Sequence, residues 1–272
     1  MNAQHIQRLA YRLGCYDFPW DVTRSLELAL FRSFASPRIG GLLHATGEFE
    51  ARPQKRYDDT DLIVSEIIEN GFESERGQRA IARMNAIHSR FAIRNEDFLY
   101  VLSTFVFEPI HWIERFGWRN LTAEEKEAWF CFWREVGRRM HLSGLPIDRE
   151  SFYAFSCAYE AQYFQPGRAS QRVAYATREL FASWFPLPIR PLVRLNIHAL
   201  LDDSLRVVFG FPAPGRTLRW LAPMMLRTRG RLLRILPQRR TPRLRTLQPH
   251  PSYPGGYEIE GLGPTTIPSQ SQ

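Results

Sequence analysis

ERGQRAIARMNAIHSRF, residues 75–91, decides the fold. Ile81, Met84, His88 and Phe91 recur at i, i+3, i+7 and i+10, which is one side of a helix. The pattern predicts a helix from Glu75 to Arg94. One histidine stands inside its apolar stripe. Such a ring is either a core histidine satisfied by a hydrogen bond or a ligand for a metal or haem, and spacing alone leaves both open.

The same periodicity spreads outward in both directions. Leu62, Ile63, Ile67 and Ile68 in RYDDTDLIVSEIIENG fit a helix closed by Gly71. Thr122 and Glu125 form a capping box that opens EEKEAWFCFWREVGRRMH. Asp21 or Thr23 caps RSLELALFRSFA, and Asn95 is expected to cap EDFLYVLSTFVF until Pro109 interrupts it. Residues 40–55 read as a loop with short helical pieces. Further helices are expected at 147–165, at 167–184, after Pro191, and in a basic segment from Arg216 whose amphipathic face Pro223 breaks. No strand pattern and no repeat occurs. The expectation is an all-α fold, one globular domain of about ten helices over residues 1–247. A Pro/Gly-rich tail follows at 248–272, and its last residues, TTIPSQSQ, are expected to be disordered.

The chain has 272 residues, 44% hydrophobic and 13% aromatic, enough for a large core or for the walls of an apolar cavity. Cys15, Cys131 and Cys157 are too few and too scattered for a disulfide framework, and they read as free thiols in a reducing compartment. The start, MNAQHIQRLAYRLGCYDF, lacks the apolar core of a signal peptide. LYVLSTFVF, at 99–107, is far short of the ~20 residues that span a bilayer. A cytoplasmic protein is expected, with peripheral membrane contact as an option.

Charge is unevenly placed. Eleven Arg and no Lys, Asp or Glu lie from Arg206 to Arg245, leaving 25 basic against 28 acidic residues elsewhere. No nucleic-acid reader motif accompanies the arginines, so nucleic acid is not an expected partner. Leu218, Trp220, Met224, Met225, Leu232 and Ile235 are interleaved among them, so 216–245 could lie on an anionic membrane surface. The alternative is a docked helix with solvated arginines.

Chemistry narrows to a few residues. No G-x-S-x-G, P-loop, G-x-G-x-x-G or H-x-x-x-H occurs. Glu108 and His111 make a single E-x-x-H, where a di-iron bundle needs two. His141 suits a helix C-terminus, and His198 could be ligand or core. Arg56 and Thr60 are i, i+4 with Asp59 close by, polar groups of the kind a haem pocket sets opposite its histidine. Arg79, Arg83 and Arg90 flank His88 and could meet propionates.

The order of motifs resembles one family. R-Y-D-D-T precedes S-E-R-G at 74–77, R-M-N-A-I-H-S-R-F at 83–91, and E-P-I-H-W with F-G-W-R at 108–119. G-F-P at 210–212, P-S-Y-P-G-G-Y and G-L-G-P close the series. This is similar to the MpaB-type oxygenases, which share a catalytic domain with bacterial rubber oxygenase, or latex-clearing protein. The likeness to the MpaB branch runs from about Asp21 to Pro264, and that to rubber oxygenase covers the central helices. The resemblance implies a globin-reminiscent helical domain holding one haem b, with His88 as proximal iron ligand. It places the distal R-x-x-K-T pattern of rubber oxygenase on Arg56 and Thr60, with Asp59 where rubber oxygenase has lysine. It also implies oxidative cleavage by O2 of a C=C bond in an isoprenoid or other hydrophobic substrate. Phe105, Phe107, Trp112, Trp129, Phe130 and Trp133 are candidates for the slot's wall. MpaB itself is associated with the endoplasmic reticulum through an N-terminal membrane segment, which this chain does not show. The alternatives are a carrier, sensor or peroxygenase of the same fold, and a haem-free helical protein peripheral to membranes.

Overall fold

Thirteen α-helices and no strand make up the described residues of the computed structural model, 1–264. They are α1 Ala3–Arg12, α2 Pro19–Phe34, α3 Pro37–Ala45, α4 Glu48–Ala51, α5 Pro53–Asn70, α6 Glu75–His88 and α7 Asn95–Phe116. Then come α8 Ala123–Arg139, α9 Arg149–Tyr163, α10 Arg168–Ser183, α11 Arg190–Leu200, α12 Asp203–Phe209 and α13 Arg216–Ile235. The all-α expectation holds. The disorder expected of TTIPSQSQ lies outside the described residues.

Two apolar cores hold the helices together. One collects Leu62, Phe72, Trp129, Phe130 and Phe132 from α5, α8 and the α5–α6 turn, with α1 and α7 closing it. The other collects Phe31, Phe34, Phe49, Phe181 and Phe209 from α2, α4, α10 and α12. Each fully buried phenylalanine contributes roughly 2–3 kcal/mol. Helix α2 lies along α7 and joins the two.

Several local expectations are met. Thr122 and Glu125 form the reciprocal capping box at the start of α8. Ser74 caps α6 by accepting from the Gly77 N–H at 3.0 Å. Gly71, at φ 78°, closes α5, and Gly77 lets α6 pass close to it: a Cβ there would stand 1.8 Å from the Gly71 carbonyl oxygen. The S-E-R-G motif is thus a cap followed by a close crossing.

Other expectations are corrected. Pro109 lies inside a continuous α7. Its missing N–H would have bonded the Phe105 carbonyl, and the Trp129 indole N–H donates there instead, at 3.0 Å. Asn95 does not cap α7. Its side-chain amide is held by both backbone groups of Ser143, at 2.8 and 2.9 Å, which leaves no free oxygen for the helix. Helix α6 stops at His88 rather than Arg94, so Phe91 lies beyond it. Residues 37–51 are mostly helical, as α3 and α4. Pro223 lies within α13 and does not end it.

The segment that sequence sets off as a tail is packed on α5 and α6. Ile259 and Leu262 are buried in the first core. His250, near enough the terminus to be discounted from sequence, is buried with its Nε2 3.2 Å from Asp61.

Candidate functional site

Helices α5 and α6 lie side by side, and their facing residues form the site. Arg56 and Thr60 are one turn apart on α5. The Arg56 guanidinium donates to the Thr60 hydroxyl, and that hydroxyl donates to the Arg56 carbonyl at 3.0 Å. Phe49 lies 5.2 Å from the guanidinium. Burial lowers Arg56 from its ordinary value, although Asp59 and Glu48 pull the other way. Among the described residues no carboxylate reaches ion-pair distance of it, so a half-buried cation is left with one hydroxyl partner.

His88, the last residue of α6, comes to the same place. Its ring meets Phe98 edge-on at 5.2 Å. Nδ1 is shut off from solvent and has no hydrogen-bond partner. Burial pushes the imidazole down to about 4, and the nearby Arg56 charge pushes in the same direction. The ring is therefore neutral at pH 7 with an unused nitrogen. That is the form in which histidine ligates a metal. Among the described residues no group of three or more His, Cys, Asp or Glu could hold a metal ion. An axial haem ligand needs only one protein nitrogen, so the residues present fit that role.

His198 is the rival. It is also buried, with Nδ1 unpartnered, and burial with Arg178 and Arg206 pushes it down to about 4. Its ring, however, stacks on Phe211 at 4.5 Å, and Nε2 faces Arg178 at 3.3 Å. One ring face and Nε2 are thus occupied, while Nδ1 is left unpartnered as in His88. His111 lines a separate cleft with Phe107 and Tyr153. Its E-x-x-H partner Glu108 is occupied by Arg32 at 2.7 Å.

The remaining sequence candidates sit one helical face away. Asp59 is buried and does not pair with Arg56. Lys55 holds it at 2.9 and 3.0 Å, and the Tyr253 hydroxyl donates to it. Lys55 also donates to the Gly263 carbonyl at 2.8 Å. Arg79 makes a two-pronged pair with Glu260, 2.8 Å for each bond, and Arg83 donates to the Leu262 carbonyl at 2.6 Å. Arg56 and Thr60 are hydrogen-bonded to each other and the Arg56 charge is felt at His88, while Asp59, Arg79 and Arg83 bind the C-terminal segment.

Thr60 also lines a cavity of about 60 Å³ with Leu26, Leu30, Val64 and Phe105. Of the six aromatic wall candidates only Phe105 borders it. Trp129 and Phe130 are core, and Trp112 donates to Asp21 at 3.0 Å. Sequence reasoning missed most of the polar lining of this cavity, among it Glu27, Tyr57, Asp61 and Glu69. The Tyr57 hydroxyl donates to Glu27 at 2.8 Å. Burial pushes the Glu27 carboxyl up to about 7, against the pull of Arg24 and of that hydrogen bond. The available signal was a lone glutamate inside the apolar run LELALF.

The chain is 30% identical over 239 residues to "ER-bound oxygenase mpaB′" of Penicillium brevicompactum, covering 81% of this chain and 56% of that protein. It is 29% identical over 209 residues to "ER-bound oxygenase mpaB" of Penicillium roqueforti, covering 70% of each. A second Penicillium brevicompactum protein, "ER-bound oxygenase mpaB", is 32% identical over 192 residues, 63% of this chain and 49% of that protein. The chain therefore spans between about half and two-thirds of the length of these relatives. Residues 25–234 match the family described as ER-bound oxygenase mpaB/B′/rubber oxygenase, catalytic domain, and the chain belongs to that family.

Proposed function

We propose that this protein is a haem b-dependent oxygenase that cleaves a C=C bond in an isoprenoid or other hydrophobic substrate. The observation that carries the reading is the buried, unpartnered Nδ1 of His88, whose ring feels the Arg56 charge. A neutral imidazole with an unpartnered buried nitrogen stands beside a cation with no carboxylate partner. When bound, haem b supplies an iron that takes up O2 and exchanges electrons with it.

The chain's own residues do the rest. His88 would hold the cofactor through an imidazole nitrogen. Arg56 and the Thr60 hydroxyl present donors that orient an oxygen atom and stabilise negative charge developing on it. Their mutual hydrogen bond fixes both before substrate arrives. Thr60 lines the cavity together with Leu26, Val64 and Phe105, which sets its hydroxyl against an apolar wall where an alkene would approach. Glu27, pushed up to about 7 by burial, and Glu69, also raised by burial, are carboxyl groups of this cavity that could hold a proton. Asp59 acts through Lys55 and Tyr253, keeping α5 in register with the C-terminal segment. Peripheral membrane contact through 216–245 belongs to the same reading.

The test is product analysis. Haem-loaded protein incubated with a short polyisoprenoid under 18O2 is expected to give carbonyl fragments carrying the label. Intact alkene with no substrate-dependent O2 uptake by the haem-loaded protein would point to the carrier or sensor reading.

A further inference from the structure

Helix α13 turns a wet face outward that does not suit water. Trp220, Met225, Leu232 and Ile235 are 66, 63, 56 and 79% exposed. The orientation is fixed from beneath. A Cβ on Gly230 would come within 2.5 Å of the Phe116 carbonyl oxygen, so α13 rests directly on α7. Arg229 clamps the same crossing by pairing with Asp21 at 2.9 Å. The apolar side chains have nowhere to turn but out.

A second strip continues this face. Helix α11 packs beside α13, and the turn leading into it leaves Phe185, Leu187 and Leu192 exposed, Leu187 by 72%. Sequence reading placed no surface role here. The charge around α13 is mostly basic, with Asp203 against Arg219 and Glu179 against Arg194 as acidic neighbours. Arg216, Arg227, Arg231, Arg239 and Arg240 are exposed, and no acidic residue lies between Arg206 and Arg245.

We propose that the outer face of α13 and the 185–192 strip together dock the protein on an anionic lipid bilayer. Charge selects the occupant. A second copy of this chain would bring arginines against arginines. A nucleic acid would meet the arginines and leave exposed tryptophan, leucine and isoleucine without a role. A bilayer with anionic headgroups takes both, the guanidinium groups at the phosphates and the apolar side chains below them. No described helix is long and apolar enough to cross a membrane, so the contact is a lateral one.

The surface also leads inward. Trp184, at the edge of the strip, meets Tyr57 edge-on at 4.9 Å, and Tyr57 lines the cavity that Thr60 borders. On the oxygenase reading, a substrate dissolved in the bilayer enters past this pair without crossing water.

Vesicle co-sedimentation tests the docking without any turnover. Wild-type protein is expected to pellet with vesicles of 30% phosphatidylserine in phosphatidylcholine and to stay largely in solution with pure phosphatidylcholine. Raising NaCl from 0.1 to 0.5 M should cut the bound fraction about fivefold, because the Debye length shortens. The combined variant Trp220→Ser, Met225→Ser, Leu232→Ser, Ile235→Ser should bind about tenfold less. These side chains are already in solvent, so its circular dichroism should match wild type. His88→Ala should dock like wild type, which separates failure of docking from failure of the haem reading. Absence of sedimentation, equal binding to neutral vesicles, or undiminished binding by the combined variant would overturn the proposal. So would a concentration-dependent dimer that the combined variant abolishes, in a protein that ignores vesicles.

Discussion

The Lys55 ammonium lies 2.9 Å from Oδ2 of Asp59, and this pair keeps Asp59 away from Arg56. Family resemblance puts Asp59 where a distal lysine is expected. The structure supplies an amine one turn earlier and ties it to that carboxylate, to the Tyr253 ring face at 5.4 Å and to the Gly263 carbonyl. Asp59 is thereby a joint between α5 and the C-terminal segment.

A structural joint has a stability signature. Asp59→Asn should lower unfolding stability by about 2–4 kcal/mol, since it strands a partly buried ammonium. Haem content should change little. Urea denaturation with a Soret reading checks both. Unchanged stability with lost turnover would return Asp59 to the chemistry.

Arg56 and Thr60 should behave in the opposite way. Arg56→Ala and Thr60→Ala are expected to keep most haem and slow alkene cleavage by roughly 10- to 1000-fold, the range for loss of one charge-stabilising donor. The double variant should cost less than the product of the two, because the side chains are hydrogen-bonded to each other. Steady-state product formation decides this.

His88 also imposes a pH dependence on the cofactor-free protein. Its folded-state value is lowered to about 4, while an unfolded histidine titrates near 6.5. Below 6.5 the unfolded chain binds the proton more readily, so stability is lost as pH falls toward 4. Wild type should lose up to ~3 kcal/mol more than His88→Leu between pH 7 and pH 4. Urea midpoints at the two pH values measure the difference. Parallel losses would mean that the ring is solvated.

Gly77→Ala tests the crossing of the two site helices. The added methyl meets the Gly71 carbonyl oxygen, and Gly71 sits at φ 78°, where few residues can follow a shift. A loss of about 1–3 kcal/mol is expected in thermal or urea unfolding, with reduced haem retention because α6 carries His88.

Much of this molecule was legible in its sequence. Period gave most helices and the Thr122–Glu125 box gave the start of α8, whereas Asp21, Thr23 and Asn95, read as caps, lie inside α2 and α7. Pro109 was misread because its compensation comes from Trp129 on another helix, which no local rule shows. Arg56, Thr60 and His88 were legible as a spaced motif. The partners of Asp59, Arg79 and Arg83 were not, since Tyr253, Glu260 and Leu262 lie about 180 or more residues downstream in a stretch without periodicity. Glu27 was hidden for a related reason: burial by Tyr57 from α5 raises its carboxyl, and only packing reveals that.

The most direct test of the central claim is the absorption spectrum of the purified, haem-supplemented protein, oxidised and dithionite-reduced, with and without CO. The account predicts a Soret band that shifts with CO in wild type and is lost in His88→Ala, with far-ultraviolet circular dichroism unchanged. A Soret band retained in full by His88→Ala but lost in His198→Ala, or a featureless spectrum from well-folded wild type, would contradict it.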